Sequence, residues 1–336
     1  MKRFLSLVML PALVSAADWA PLPSLPDKEG FAGAFAGVAG GALIVTGGTN
    51  FPDKMPWEGG TKTWYDQVHV LTEPEGTWKV MGKLPKPNGY GVSLSTGEGM
   101  VVIGGGDASA HFKEVVRLNL SAEKITTESL PALPKPCAFM AGVENLGTLY
   151  IAGGIEHPAD TAAMPTFWSL DLTKTGNDWK ELPPCPGPAR ILASMAAVDG
   201  AIYLFSGAAL KPGPDGKPAR EWLKDAWRYT AAEGWKQLAD MPHVSVAAPS
   251  PLPARDDQFL LIGGDDGLNV NFEPKEKHPG FPRRLMAYDP KTDRWTEASV
   301  LPFSLVTTPA VEWRGRIVIP GGEARPGKRS PEVWWR

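Results

Sequence analysis

The sequence has little of what most metal, redox and nucleotide sites are built from. Its 336 residues contain two cysteines, Cys137 and Cys185, and no Cys-x-x-Cys pair. The five histidines are dispersed, and none lies at the spacing of metal ligands. No Gly-x-Ser-x-Gly, P-loop or dinucleotide fingerprint is present. We therefore expect no metal and no cofactor. We expect the two thiols to be isolated, with a disulfide as the alternative in an oxidising compartment.

Charge of one sign is also missing, because 34 basic and 37 acidic side chains leave a net charge of -3 with no long block of either. This balance argues against a nucleic-acid partner and against an anionic membrane surface. Beyond the N-terminal segment, no run reaches the roughly 18 apolar residues of a membrane span. We therefore expect no membrane partner. Hydrophobic residues make up 43% of the chain, enough for a sizeable core.

The N-terminus reads as a secretory signal peptide over residues 1–17. Lys2 and Arg3 precede an apolar run over residues 4–14, and small residues follow at 14–16. We expect this segment to be removed, the protein to act in the periplasm, and residues 18–336 to form one domain.

An internal repeat is the strongest signal in the sequence. A short apolar strand that ends in glycine recurs at a spacing of 48 to 58 residues. The copies are ALIVTGG at 42–48, MVVIGGG at 100–106, TLYIAGG at 148–154, AIYLFSG at 201–207, FLLIGG at 259–264 and RIVIPGG at 316–322. This period is typical of kelch blades, each with about four strands.

A tryptophan motif recurs in phase with the glycines. Trp followed by Leu-Pro or Met-Pro begins at 19, 78, 179, 235 and 295, whereas residues 129–134 keep only SLPALP. We interpret the indole as filling the gap between adjacent blades.

The chain ends in EVWWR at 332–336 and its mature part begins with DWAPLP at 18–23. These features predict an all-β, six-bladed kelch-type β-propeller, closed by an N-terminal strand that completes the C-terminal blade. Seven blades or an open β-sandwich fit the repeat count and period less well.

Function has to be argued from the loops that follow each glycine pair, since propellers serve many roles. These positions carry Thr49 and Asn50, Asp107, Ile155, Ala208, Asp265 and Glu323. Asp and Asn after glycine are also ordinary turn residues, but Glu is not.

The segment PGGEARPGKRS at 320–330 places Glu323, Arg325, Lys328 and Arg329 on one loop. A carboxylate among cations can remain ionised and act as a base, and a guanidinium can clamp a carboxylate. A solvated charged loop is the alternative. Arg190 precedes an inner strand and is a weaker candidate, and the loops 49–64 and 267–283 are long enough to wall the mouth of the ring.

Three segments together resemble the bacterial N-acetylneuraminate epimerases, or sialic acid mutarotases. They are GEARPGKRS at 322–330, FAGAFAG at 31–37 and GYGVSL at 89–94. In enterobacterial members the charged loop precedes the other two segments, whereas here it follows them. The order therefore resembles the cyclically permuted branch of these kelch proteins.

The resemblance implies that Glu323 is the proton acceptor and that Arg329 binds substrate. It also implies that Arg325 replaces a lysine of the family, and, more loosely, that Arg190 matches a substrate-site arginine. We add Asn50 and Asp107 as substrate-binding candidates. The implied activity interconverts the α- and β-anomers of N-acetylneuraminate by ring opening, without cofactor or metal.

The alternatives are a non-catalytic exported carbohydrate-binding propeller and a mutarotase of another acidic sugar. A glycosidase would need two opposed carboxylates, and the Asp-boxes and three arginines of a sialidase are not present. The expected partner is a small acidic sugar, and a homodimer is possible.

Overall fold

The computed structural model describes residues 19–121, 124–213 and 216–336, so the signal peptide predicted at 1–17 lies outside the described residues. The described chain is almost entirely antiparallel β-strand, which confirms the all-β class. Short 3-10 helices occur at Pro56–Glu58 and Lys275–Lys277. In these ranges, no helix has the length and apolar character needed to cross a bilayer.

Most strands lie in sheets of one design, in which four antiparallel strands follow each other across the sheet. We number these sheets I to VI and the strands in chain order. Sheet I contains β2 (Ala32–Ala39), β3 (Ala42–Asn50), β5 (Gln67–Leu71) and β6 (Lys79–Lys83), with β4 (Thr63–Trp64) paired to β3. Sheet II contains β7 (Val92–Thr96), β8 (Gly99–Ile103), β9 (Val115–Ser121) and β10 (Lys124–Leu130). Sheet III contains β11 (Ala141–Asn145), β12 (Thr148–Ala152), β13 (Phe167–Asp171) and β14 (Lys180–Glu181).

The second half of the chain repeats the design, with one addition. Sheet IV contains β16 (Ser194–Val198), β17 (Ala201–Phe205), β20 (Ala226–Thr230) and β21 (Gly234–Gln237). Sheet V contains β22 (Ala254–Arg255), β23 (Gln258–Ile262), β24 (Arg284–Asp289) and β25 (Arg294–Val300). Sheet VI contains β26 (Val311–Trp313), β27 (Arg316–Arg325), β28 (Lys328–Trp335) and the N-terminal β1 (Ala20–Leu22). The added three-stranded sheet contains β15 (Arg190–Ile191), β18 (Ala208–Pro212) and β19 (Pro218–Trp222).

A closed cycle of backbone hydrogen bonds joins the segments that lead into the first strands of the sheets. In five of the six bonds, an N–H donates to the carbonyl of the equivalent residue one repeat earlier. In the sixth bond, the N–H of Gly33 in the first repeat donates to the carbonyl of Thr307 in the last. All six bonds are 2.7 to 2.8 Å long. All members have φ between +53° and +64°. The members are Gly33, Tyr90, Phe139, Leu192, Ala247 and Thr307. Because left-handed φ is uncommon for residues other than glycine, the repetition marks six copies of one junction.

The glycine pairs are required at the same junctions. Gly153 has a φ of +70°, and a Cβ there would lie 2.2 Å from the carbonyl oxygen of Arg190 in the next repeat. The following residue, Gly154, donates its N–H to that carbonyl over 2.9 Å. Only glycine allows the backbone of one repeat to approach the next this closely.

The hydrophobic core is divided into clusters that lie between consecutive sheets. Sheets I and II share one cluster, and so do II and III, III and IV, IV and V, and V and VI. A further cluster joins sheet VI to sheet I, with Leu22 and Val318 packed beside Leu43. Each sheet therefore buries both faces against its neighbours, as strand repeats stacked around a centre must.

The indoles of the tryptophan motif bridge these boundaries. The Nε1 atoms of Trp78, Trp179 and Trp235 each donate to a proline carbonyl of the preceding repeat over 2.8 Å. Trp295 donates to the carbonyl of Ala239 over 3.3 Å. The interpretation that the indole fills the gap between neighbouring repeats is confirmed at these four boundaries.

The repeat that lacks the tryptophan has Thr127 in its place, opposite Leu118 in the sheet. Trp235 and Trp295 lie opposite tyrosines at the same position of their sheets. The boundary between sheets I and II contains a cavity of about 400 Å³, and Pro85 and Ser129 are among the residues that line it. The boundary that lacks the tryptophan side chain therefore contains an unfilled cavity.

The two ends of the described chain meet in sheet VI. Strand β1 pairs with β28 in antiparallel register, Ala20 opposite Trp335 and Leu22 opposite Val333. The ring of Trp19 packs edge-on against Phe303, with 5.0 Å between centroids. Elsewhere in the fold, Cys137 and Cys185 are both free thiols.

The packing of β1 predicts the stability of a Leu22→Ala variant. Leu22 is 7% exposed in the cluster between sheets VI and I. Truncation of a buried leucine costs about 2–5 kcal/mol, so the urea midpoint should fall. Leu268→Ala is the matched control, because Leu268 is 81% exposed. Equal urea midpoints for the two variants would show that β1 does not stabilise this boundary.

Candidate active site

Residues 320–330 form the end of the β27–β28 hairpin, not the irregular loop that the sequence suggested. Arg325 pairs with Lys328 across the turn Pro326-Gly327. Gly327 has a φ of +82°, and proline followed by such a glycine is the arrangement of a type II turn. An irregularity in the pairing between Glu323 and Arg325 then shifts the register by one residue and places Glu323 opposite Arg329.

Glu323 and Arg329 form an ion pair on this hairpin. Arg329 Nη1 donates to Glu323 Oε1 over 2.7 Å, and the N–H of Gly327 donates to the same oxygen over 2.7 Å. The side chain of Arg329 is 3% exposed and that of Glu323 is 18% exposed. The described residues give Oε2 of Glu323 no hydrogen bond, so this oxygen is available to a ligand.

The guanidinium of Arg329 is held on three further sides. It lies over the ring of Phe51 with 5.1 Å to the centroid, and Nε contacts the carbonyl of Thr49 at 3.4 Å. Its Nη2 is 3.5 Å from the hydroxyl of Tyr90, a contact long enough to exchange for a ligand oxygen.

Glu323 lies at a position that recurs around the centre of the fold. In each repeat, one residue directly precedes the member of the hydrogen-bond cycle in the chain. That residue pairs in antiparallel register with the residue that follows the glycines at the end of a strand. Those partners are Thr49, Gly106, Ile155, Ala208, Asp265 and Glu323. Only the last two carry carboxylates, and they belong to consecutive repeats.

A cavity of about 390 Å³ opens beside these two carboxylates. The residues that line it come from five of the repeats and from both long loops. They are Lys62, Tyr90, Phe139, Leu192, Arg220, Val246, Ala247, Asp265, Val270, Lys275, His278, Phe281, Val306, Thr307, Glu323, Pro326 and Arg329. Four lysines and arginines face two carboxylates, so the cavity suits an anion.

His278 is buried in the wall of this cavity at 4% exposure. The N–H of Gly280 donates to its Nδ1 over 3.1 Å, so the neutral ring carries its proton on Nε2. Phe281 packs against the imidazole at a centroid distance of 5.9 Å. The ring is thus held in one tautomer and can donate a hydrogen bond.

Of the other residues predicted for substrate binding, Asn50 and Asp107 lie one position beyond the recurring site. Asn50 is 1% exposed, and both ends of its amide are bonded within the fold, to Asp27 and to Tyr65. Asp107 Oδ1 accepts from the N–H and hydroxyl of Ser109, which is the alternative turn role. Neither lines the cavity beside Glu323, although Asp107 lines a neighbouring one of about 220 Å³.

Arg325 and Arg190 also lie off this cavity. Arg325 is half-buried at the hairpin turn, and its side chain has no hydrogen bond or ion pair to the described residues. Arg190 is 2% exposed and forms two parallel hydrogen bonds of 2.7 Å to Asp225. Its remaining donors reach the carbonyls of Pro188 and Ser206. These contacts favour a structural role for Arg190 and do not support its predicted contact with substrate.

Sequence reasoning missed two cations of the cavity. Lys62 lies at the end of the first long loop, its Nζ 5.2 Å from the ring centroid of Tyr90. Arg220 is exposed on β19 and has no ion pair to the described residues. The added hairpin β18–β19 carries it to the mouth. No sequence signal sets this hairpin apart, because residues 208–225 form a stretch about as long as residues 49–66 and 265–283 in other repeats.

Comparison with known proteins gives a partial sequence match and a full-length structural one. Residues 13–127 match the family model of the N-acetylneuraminate epimerases. The chain is similar to these epimerases over about a third of its length. N-acetylneuraminate epimerase of Salmonella enteritidis is 42% identical over 97 residues, 26% of this chain and 25% of that protein. The Haemophilus influenzae protein of the same name is 34% identical over 126 residues, 33% of each chain.

The alignments therefore span a quarter to a third of these curated relatives. The solved structure of YjhT superposes with a TM-score of 0.67, covering 93% of this chain and 96% of that one at 16% identity. This likeness shows a shared fold. The family resemblance read from FAGAFAG and GYGVSL is confirmed within the matched stretch, whereas the hairpin with Glu323 lies outside it.

The buried pair at Arg190 predicts a stability effect. Arg190→Met leaves the carboxylate of Asp225, 16% exposed, without its partner, which should cost about 3–5 kcal/mol. Arg255→Met breaks an exposed pair with Glu312 of the same 2.7 Å length and should cost less than about 1 kcal/mol. Urea unfolding measures both. If Arg190→Met unfolds like the wild type, the structural assignment of Arg190 is wrong.

Proposed function

We propose that this chain is an N-acetylneuraminate epimerase, a mutarotase that interconverts the α- and β-anomers of sialic acid. The observation that carries the proposal is the Glu323–Arg329 pair at the edge of a cation-rich cavity. The partial match to the epimerase family and the likeness to YjhT support it.

The proposed architecture is a six-bladed propeller, with sheets I to VI as blades and β1 as the strand that closes the ring. The cycle of six hydrogen bonds supports this arrangement, and so does the core cluster between sheets VI and I. Gly322 in sheet VI also donates its N–H to the carbonyl of Phe31, which leads into sheet I.

A cyclic permutation would explain why the match to the family is partial. A collinear alignment can follow only one segment of a permuted chain, and the matched segment here contains FAGAFAG and GYGVSL. In a closed ring the position of the chain ends leaves the central mouth unchanged. The proposal therefore places Glu323 at the same mouth, although its hairpin lies at the other end of the sequence.

In the proposed reaction Glu323 acts as the general base. Its free Oε2 removes the proton of the anomeric hydroxyl, the bond from C2 to the ring oxygen breaks, and the ring oxygen receives a proton. The open 2-keto acid presents the other face of its carbonyl and closes again. The ion pair with Arg329 orients the carboxylate for this transfer.

The sugar carboxylate is proposed to bind among the cations of the cavity. Arg329 offers Nη2, and Arg220 offers a guanidinium that has no ion pair to the described part of the chain. Guanidinium groups bind carboxylates in two-point fashion. Lys62 adds charge on the opposite loop. Because Lys275 pairs with Glu273 at 3.1 Å, three further cations face two carboxylates, which leaves one positive charge for an acidic sugar.

We also propose that residues 1–17 direct export to the periplasm, where free sialic acid would be met before uptake. A carbohydrate-binding protein without catalysis would share the fold and the cavity but would leave the anomerisation rate unchanged. A mutarotase of another acidic sugar would accelerate a different keto-sugar acid in a substrate panel.

The decisive variant is Glu323→Gln. NMR of freshly released α-anomer measures the approach to equilibrium, which the wild type should accelerate over the spontaneous rate. Loss of the base should reduce that acceleration by about 10²–10⁴-fold, while the amide preserves shape and still accepts from Arg329.

Glu73→Gln is the matched control, because Glu73 also pairs with an arginine at 2.7 Å but is 61% exposed. It should keep the wild-type rate. An unaccelerated reaction with wild-type protein contradicts the proposed activity, and a fully active Glu323→Gln variant contradicts the role of Glu323 alone.

A further inference from the structure

The second carboxylate of the cavity, Asp265, has the same backbone setting as Glu323. Asp265 exchanges two hydrogen bonds of 2.8 and 2.9 Å with Val246, and Glu323 exchanges two of 2.9 and 3.0 Å with Val306. The residues after these valines, Ala247 and Thr307, are joined directly in the central cycle over 2.8 Å. The two carboxylates are therefore held at neighbouring positions on the rim of one cavity.

The two carboxylates differ in their surroundings. Glu323 has a guanidinium at 2.7 Å, whereas no cation lies within ion-pair distance of Asp265 among the described residues. Burial and the neighbouring charge of Asp266 raise the pKa of Asp265 above its ordinary value. Arg220, His278 and the N–H of Gly267 oppose this shift without reversing it.

A pair of titratable groups held in unlike environments is the usual basis of acid and base roles in one site. We propose that Asp265, in its protonated form, is the general acid that delivers a proton to the ring oxygen while Glu323 removes the anomeric proton. This assignment rests on the proposed function. It names a catalytic residue that the family resemblance did not supply.

The proton balance of the step closes without any other reactant. On opening, Glu323 takes the proton of the C2 hydroxyl, the C2–O6 bond breaks, and O6 takes the proton of Asp265. The two carboxyls have then exchanged protonation states. On closing, O6 returns its proton to Asp265 and attacks C2 on the other face, and the carbonyl oxygen recovers the proton from Glu323.

Other charged groups reach the same cavity. The cations are Lys62, Arg220, Lys275 and Arg329, and the remaining titratable groups are His278, Tyr90 and Glu323, with Asp266 adjacent to Asp265. His278 is the nearest rival as acid, since its Nε2 carries a proton. Its ring is enclosed by Phe272 and Phe281, which suits it to a fixed hydrogen bond to substrate.

The test measures the pH dependence of the anomerisation rate by NMR for the wild type and for Asp265→Asn. The amide oxygen of asparagine can still accept from Gly267, so the local turn is preserved. We expect the rate to fall by about 10²–10⁴-fold and the decline of the wild-type rate on the alkaline side to disappear. Asp266→Asn should retain that alkaline decline, since Asp266 is engaged by Arg284 at 3.3 Å and does not line the cavity.

A second measurement tests the protonation of Asp265 without activity. When folding raises the pKa of a carboxyl, the free energy of unfolding falls as pH rises from the ordinary pKa of that group through its raised pKa. Asp265→Asn should therefore melt above the wild type at neutral pH, and the difference should vanish in acid.

Each result decides between the hypotheses. An active wild type with an equally active Asp265→Asn variant overturns the role of Asp265 and leaves the mutarotase standing. If the alkaline decline of the rate persists in Asp265→Asn but is lost in His278→Gln, then His278 is the general acid. An inactive wild type removes the proposed function itself, and an unchanged melting difference across pH contradicts the protonated carboxyl.

Discussion

The cycle of backbone hydrogen bonds at the centre is the constraint on which the rest of the structure depends. Each member is held in left-handed φ, and five of the six are not glycine, so each of those five junctions costs backbone strain of about 1 kcal/mol or more. Bonds of 2.7 to 2.8 Å to both neighbours hold these residues in place. The cycle sets the distance and angle between successive repeats, and therefore which side chains meet at the mouth.

The site follows from this constraint. One residue of each repeat lies directly beside the cycle, and the two that carry carboxylates, Asp265 and Glu323, line one cavity. Asp265 and Glu323 are placed there by the backbone, and their chemistry is set by what the loops bring. The hairpin turn supplies Arg329 to Glu323, while none of the described residues brings a cation within ion-pair distance of Asp265. Two similar carboxylates thus have different electrostatic surroundings.

Sequence reasoning succeeded where the signal was periodic. The glycine pairs and tryptophans repeat because each boundary between sheets poses the same steric problem, so six strand repeats and their interfaces could be read from spacing. It failed where register mattered. Gly106, not Asp107, holds the recurring position, because the second repeat contains three consecutive glycines and the structural pair is Gly104 and Gly105, one residue earlier than the sequence suggested.

Arg190 shows a second kind of failure. A cation before an inner strand can point into the channel or into a neighbouring sheet, and the sequence does not distinguish them. Its partner Asp225 is 35 residues away, and only the folded chain brings the two within 2.7 Å. Arg220 was missed for the opposite reason, since nothing periodic marks the hairpin inserted after the fourth glycine.

The sequence by itself determined the strand repeat, the interfaces between repeats and the charged segment with Glu323. These properties are local or periodic, and each copy reports the same packing requirement. The tertiary structure alone decided that Glu323 is paired with Arg329, that Asp265 shares its cavity and that Asn50 and Arg190 are bonded within the fold. Such outcomes depend on contacts between residues far apart in the chain, where a shift of one residue moves a side chain from the cavity to the core.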